Sequence, residues 1–183
     1  MNKVKVIAIS GASGSGKTSA VKMLSNYFQC PSLYFDEHVE KDTYPVDMKK
    51  WYENGANVNE FRTPNMISSL RGLIDSTHQY IFVEEPFGRE RSCILPLVDY
   101  VVLLDQPIEL CLSRVVKRSI KRGSKNLNSS LLTYLDNYED HTRDIYIETV
   151  NQVRENCDLI INKPYSVEET AEIIAHWLES KSS

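Results

Sequence analysis

Short apolar runs alternate along the chain with longer stretches in which apolar residues recur every three or four positions. The runs lie at residues 4–9, 32–35, 80–83, 99–105 and 158–162. They are rich in β-branched and aromatic residues, so each predicts a strand. Helical spacing fills the gaps. Residues 18–28 place Val21, Leu24 and Phe28 on one face. Thr63-Pro64 opens a helix to about residue 76, with Met66, Ile67, Leu70, Leu73 and Ile74 on its apolar side. Pro107 opens another, with Leu110, Cys111 and Val115. Residues 127–154 predict one or two helices, packing through Leu131, Leu135, Tyr138, Ile145, Ile147 and Val150. Ser166-Val167-Glu168-Glu169 is a capping-box start for a last helix that packs through Val167, Ile173, Ile174 and Trp177, with residues 180–183 expected to fray. Strands alternating with helices predict one α/β domain over residues 1–183.

The first strand and first helix are joined by Gly11-Ala12-Ser13-Gly14-Ser15-Gly16-Lys17-Thr18, followed by Ser19. This fits the P-loop pattern G-x-x-x-x-G-K-[ST] at every fixed position. Gly11 and Gly16 permit backbone angles that a Cβ would penalise, so successive N–H groups can point inward around phosphate oxygens. Lys17 is placed to reach the β- and γ-phosphates of ATP, and the Thr18 hydroxyl to bind Mg²⁺. The helix that follows turns its N-terminus toward the same phosphates.

Composition narrows the classes of function. A chain of 183 residues buries roughly 70% of its unfolded surface and needs no covalent staples. Its formal net charge of −4 argues against a general nucleic-acid or membrane partner. Cys30, Cys93, Cys111 and Cys157 are far apart and form no C-x-x-C pair, so they read as core residues in a reducing compartment. No apolar run approaches the roughly 18 residues of a membrane span, and no signal peptide is evident, so a cytoplasmic location is expected.

Further candidates stand at strand ends, where ligands collect in parallel α/β sheets. Asp36 follows the second strand and suits a base that orients an attacking hydroxyl, or a water-mediated magnesium contact; on local residues alone it is equally a turn residue or a cap. Glu84-Glu85-Pro86 follows the third strand, and Glu84, directly at its end, is the better magnesium-side acid. Arg89 and Arg91 just beyond suit either an anionic acceptor or the surface. Residues 37–62 lack clean periodicity and mix aromatics with amides, as an acceptor-binding insert would; Phe61 is expected to pack, with Trp51 open between packing and ligand stacking. From Leu110 to Leu135 there is no acidic residue, while Arg114, Arg118 and Arg122 fall on one helix face before Gly123-Ser124. Arginine forks pair with phosphate oxygens, so residues 114–128 read as a lid over a triphosphate, the alternatives being a solvated basic face or a weak RNA-binding patch.

Taken in order, these blocks resemble the uridine kinase branch of the P-loop nucleoside and nucleotide kinases. Tyr34-Phe35-Asp36 resembles the family's strand-end aspartate, regarded as the base that activates the acceptor hydroxyl. Phe82-Val83-Glu84 resembles its strand-end glutamate near magnesium. Leu104-Asp105-Gln106-Pro107 through Arg114, Arg118 and Arg122-Gly123 to Tyr134, then Cys157-Asp158-Leu159-Ile160-Ile161, is similar to its strand, lid and returning helices. The resemblance implies a three-layer sandwich with a five-stranded parallel sheet of order 2-3-1-4-5. It also implies an ATP- and Mg²⁺-dependent phosphotransferase with a hydroxyl acceptor, in which Lys17, Asp36, Arg118 and Arg122 serve catalysis and Arg114 joins the nucleotide site. Three departures stand out. Ser124-Lys125-Asn126 replace a further Arg-Asp, residues 53–61 replace the family's acceptor segment, and Glu85-Pro86 replaces Glu-Gly. Two other classes compete. One is a nucleotide-binding regulator with little chemistry. The other is a GTPase, in which Asn162-Lys163-Pro164-Tyr165 would lack the carboxylate that reads guanine.

Overall fold

The computed structural model describes residues 3–39, 41–123 and 126–182. Five parallel strands, β1 (Lys5–Ser10), β2 (Ser32–Leu33), β3 (Tyr80–Glu84), β4 (Tyr100–Leu104) and β5 (Leu159–Ile161), form one sheet of order β2-β3-β1-β4-β5. This is the order that the resemblance implies. The central strands are apolar at nearly every position because helices cover both faces of the sheet. Alternation sends Val6, Ala8, Ile81, Val83, Val101 and Leu103 to one face and Ile7, Ile9, Phe82, Val102 and Leu104 to the other.

The second of these faces is covered by α1 (Lys17–Tyr27) and α7 (Val167–Ser182), through Val21, Leu24, Ile174 and Leu178. The first is covered by α3 (Pro64–Ile74) and α6 (Arg143–Asn156), through Met66, Leu70, Ile145 and Val153. α4 (Ile108–Arg122) and α5 (Leu127–Asn137) rise from the carboxyl end of β4. Residues 127–156 are helical throughout, interrupted only by a π-turn at Tyr138–Thr142 that shifts the register between α5 and α6. At the start of α7, the Ser166 N–H donates to Glu169 Oε2 at 2.8 Å and the Glu169 N–H to Ser166 Oγ at 3.1 Å, the reciprocal pair that the sequence predicts. The chain stays helical to Ser182, in a stretch where the sequence predicts fraying. No helix among the described residues is long and apolar enough to cross a membrane.

Two local expectations change. β2 ends at Leu33, and Phe35–Glu37 form a 3₁₀ turn, so Asp36 rides on a turn and not on a strand end. Residues 37–62 contain α2 (Met48–Glu53), whose Asp47 carboxylate accepts from the Lys50 N–H at 3.0 Å. Six residues are too few for helical periodicity to stand out. Trp51 and Phe61 are both buried, at 4% and 2% exposure, and pack edge to face.

The glutamates and arginines around β3 depart furthest from expectation. Glu85 is fully buried against Arg91, also fully buried; Arg91 Nε and Nη2 both donate to its carboxylate. Arg91 Nη1 donates to the Phe61 carbonyl at 2.7 Å and to Thr63 Oγ1 at 3.0 Å, so one guanidinium ties the end of β3 to the insert. Arg89 pairs with Asp158 at 2.8 Å and donates to the carbonyls of Asn156 and Asp99. Neither arginine meets an acceptor or lies free on the surface. Removing one partner of a buried pair strands the other charge, so Glu85→Ala is expected to cost about 3–5 kcal/mol, whereas the double variant Glu85→Leu with Arg91→Met is expected to recover most of that. Urea unfolding of both variants checks this; a loss below about 1 kcal/mol in the single variant would place the pair with solvent-exposed ones.

Candidate active site

A cavity of about 500 Å³ opens at the carboxyl ends of the strands and holds the P-loop, from Gly11 through Ser19, at its centre. The loop's shape depends on two missing side chains. Gly14 has φ +85°, and a Cβ there would lie 2.3 Å from the Cys111 carbonyl oxygen; at Gly11, with φ +136°, it would lie 2.6 Å from that of Leu104. Sequence reasoning singled out Gly11 and Gly16 for their backbone angles, and both have positive φ, +136° and +107°; Gly14 is the further residue, pressed against α4. The Ser15 hydroxyl is buried in the loop with no hydrogen-bond partner, which is the state of a donor waiting for a ligand oxygen.

Lys17 and Glu84 set the electrostatics. Lys17 Nζ donates to the Ala12 carbonyl at 3.0 Å and stands 3.9 Å from Glu84 Oε1. The Thr18 hydroxyl donates to Glu84 Oε2 at 2.9 Å. The strand register makes this possible, because Glu84 pairs with Ile9, one residue before the end of β1. Burial pushes the Lys17 ammonium below its usual range and the Glu84 carboxyl above its own, with each the largest opposing influence on the other. The two strand-end acids part company here: Glu84 faces the loop, and Glu85 belongs to Arg91.

The sheet order divides the remaining wall. Beyond β4 and β5 lie Gln106, Tyr165, Ser166, Val167 and Thr170. Gln106 Nε2 donates to the carbonyls of Ile161 and Lys163, which holds the β5–α7 turn in place. Beyond β2 and β3 lie Phe35, Asp36, Glu84 and Phe87, joined by Trp51 and Phe61 from the insert. Asp36 is exposed on this wall and is an electrostatic neighbour of Lys17, Glu84 and Tyr44. From α4, Arg114 Nη1 approaches the carbonyls of Gly14 and Ser15 at 3.3 and 3.5 Å, and Arg118 lines the cavity. Arg122 is exposed at the end of α4 and is not part of the cavity wall. Ser124 and Lys125, in the expected lid, lie outside the described residues.

Several wall residues went unread in the sequence. Tyr146 is the main one. It projects from α6 between the P-loop residue Ser13 and Tyr134, and burial pushes its phenol well above the usual range. Its helix follows the π-turn, whose extra residue breaks the periodicity that would have assigned its face. Met48 was hidden in the aperiodic insert, whose aromatic residues, Tyr44 among them, sequence reading does pick out.

Can the chain hold a magnesium ion? The Thr18 hydroxyl and Glu84 carboxylate are adjacent hard oxygen donors, the type Mg²⁺ prefers. No group of three or more His, Cys, Asp or Glu that would form an all-protein metal cage occurs among the described residues. That sparse set fits an ion that takes its other ligands from phosphates and water.

The order of the parallel sheet and the phosphate loop together give the fold of the P-loop kinases. No protein-family profile matches the chain. It is similar over nearly its whole length to the uridine kinase of Borrelia garinii subsp. bavariensis, with 26% identity covering 97% of this chain and 96% of the relative. The uridine kinase of Macrococcus caseolyticus is 24% identical over 88% and 89%. Among solved structures, shikimate kinase from Aquifex aeolicus superposes with a TM-score of 0.55 at 18% identity, covering 97% and 98% of the two chains. APS kinase from Mycobacterium tuberculosis does so at 0.57 and 18%, covering 98% and 99%. The chain is a small-molecule kinase of the P-loop class, and its sequence resemblance lies with the uridine kinases.

The raised Glu84 carboxyl carries a signed consequence. A carboxyl whose folded-state value exceeds its unfolded one stabilises the fold at low pH and loses that contribution as pH rises through the folded value. Ligand-free wild type is therefore expected to gain stability relative to Glu84→Gln as pH falls from about 7 toward the ordinary glutamate range, in urea titrations of both. A difference that shrinks with falling pH would contradict the burial of Glu84.

Proposed function

We propose that the protein transfers the γ-phosphoryl group of ATP, with Mg²⁺, to a hydroxyl of a small nucleoside-like metabolite. One observation carries this reading. Asp36 shares a cavity with the P-loop, within electrostatic reach of Lys17 and Glu84, and stands beside an aromatic wall large enough to seat an acceptor. A regulator needs only the nucleotide half of such a cavity, and the kinase relatives favour transfer over regulation. Tyr165 stands on the wall where a guanine-reading carboxylate would be needed, which disfavours a GTPase.

The roles follow from position. Backbone N–H groups from Gly11 to Thr18 and the Ser15 hydroxyl would hold the phosphates. Lys17 would release the Ala12 carbonyl and reach the transferred group, where its charge is worth most because water is excluded. Thr18 and Glu84 would hold the metal, which when bound neutralises charge on the phosphate oxygens. Arg114 and Arg118 would face the phosphates from α4, and closure of the lid would add Arg122. Asp36 would accept a hydrogen bond from the acceptor hydroxyl, orient it toward the γ-phosphorus and take its proton as the new P–O bond forms and the bond from the γ-phosphorus to the bridging oxygen breaks, releasing ADP. The reducing, intracellular setting expected from the cysteines suits an ATP-consuming enzyme.

Asp36→Asn keeps the shape and removes the base. Turnover is expected to fall by about 10²–10⁴-fold, with Mg·ATP affinity unchanged by calorimetry. Turnover within about threefold of wild type would remove Asp36 from the mechanism and reopen the regulator reading.

A further inference from the structure

The acceptor flank is built almost wholly from apolar side chains: Phe35, Met48, Trp51, Phe61, Phe87 and Ile145. Their rings interlock, with centroids 5.1 Å apart for Trp51 and Phe61, 4.8 Å for Phe61 and Phe87, and 5.8 Å for Phe35 and Phe87. Groups able to read the edge of a base are committed elsewhere. Trp51 Nε1 donates to the Asn57 carbonyl at 3.0 Å. Thr149 Oγ1 donates to the Ile145 carbonyl of its own helix at 2.9 Å. The amides of the insert face away from this task. Asn57 Oδ1 caps the Asn59 N–H, and Asn59 Oδ1 accepts from the Ser92 N–H and hydroxyl at 2.7 and 2.8 Å. Arg91, 5.1 Å from the Phe35 ring centroid, is neutralised by Glu85. Polar atoms do remain at one end. The Asp36 carboxylate and the hydroxyls of Tyr44 and Tyr146 are electrostatic neighbours, beside the P-loop.

We infer that the acceptor is an uncharged alcohol with a flat, apolar or aromatic body, selected by stacking and shape and not by the hydrogen-bonding edge of a base. This rests on the kinase reading above and narrows it. The polar end suits the hydroxyl-bearing part of the acceptor, and the aromatic wall suits the rest. A carboxylate or phosphate on the acceptor body would meet Asp36 and Glu84. The cations of this cavity, Lys17, Arg114 and Arg118, stand beside the P-loop, with Arg118 also within electrostatic reach of Tyr146. Shikimate kinase and APS kinase share the fold, and the compounds they are named for are anions.

The test compares four acceptors with Mg·ATP: uridine, cytidine, a riboside whose base is replaced by phenyl, and shikimate. Phosphorylated product is followed, and binding is read in parallel from Trp51 fluorescence in a Trp177→Phe background. The three ribosides are expected within about tenfold of one another in kcat/KM, because a site that hydrogen-bonds its substrate rejects the analogue lacking the groups by about 10⁴–10⁵-fold and this one does not. Shikimate is expected to give no product. Uridine used more than about a hundredfold better than the phenyl riboside, or turnover of shikimate, overturns the inference. Equal binding of the three ribosides with no product from any of them supports the selectivity and overturns the kinase reading. Uridine bound and the phenyl riboside not bound overturns the selectivity alone.

Discussion

A lysine buried beside a glutamate, with a backbone carbonyl as its nearest partner, is the interaction around which the site is arranged. Lys17 donates to the Ala12 carbonyl and keeps Glu84 almost 4 Å away, so neither charge is fully paired. Burial works against both. Such a pair is costly in the free protein, and it persists because the sheet over-determines it. β1 delivers the loop, β3 delivers Glu84 in register beside Ile9, and Gly11 and Gly14 let the loop press against β4 and α4. The arrangement makes sense as preorganisation. The backbone N–H groups and the Ser15 hydroxyl would stand in place before an anionic ligand arrives, and Lys17 would only have to leave the Ala12 carbonyl.

The second constraint is the Glu85–Arg91 pair. Its neighbour Glu84 faces the P-loop, while Glu85 turns inward and, through Arg91, holds Phe61 of the insert and Thr63 at the start of α3. Adjacent residues at the end of one strand thus link the phosphate side of the cavity to its acceptor side. The same guanidinium lies over Phe35, whose neighbour is Asp36. The positions of the aromatic wall and of Asp36 are therefore tied to one buried ion pair. That pair also sits at the departure from the family's Glu-Gly, which connects the altered turn after β3 to the altered insert.

Much of this was legible in the chain, and the rest was hidden for identifiable reasons. The P-loop is local: eight consecutive residues determine its chemistry, so a pattern suffices. The strands are apolar runs bounded by turns, and their existence was readable, whereas their order came from the resemblance and not from periodicity. Asp36 and Glu84 were visible as acids after strands. The separate fate of Glu85 was not, because its partner lies across a turn and two carboxylates in sequence look alike until one is seen to be enclosed. Trp51 sits in a helix of six residues, too short to show a face. Tyr146 follows a π-turn that resets the helical phase. The amides of the insert were visible, yet Asn57 serves the insert's own turn and Asn59 the loop after β3, which composition alone does not reveal.

The central claim is that this cavity moves phosphate from ATP to an alcohol. The most direct measurement follows γ-labelled Mg·ATP into product in the presence of a panel of neutral alcohols, with Lys17→Ala as the blank. The account predicts label in a phosphate ester of at least one alcohol, formed well above the rate of release to water and absent in the variant. Label recovered only as inorganic phosphate, or retained on bound ATP with every acceptor, would contradict it.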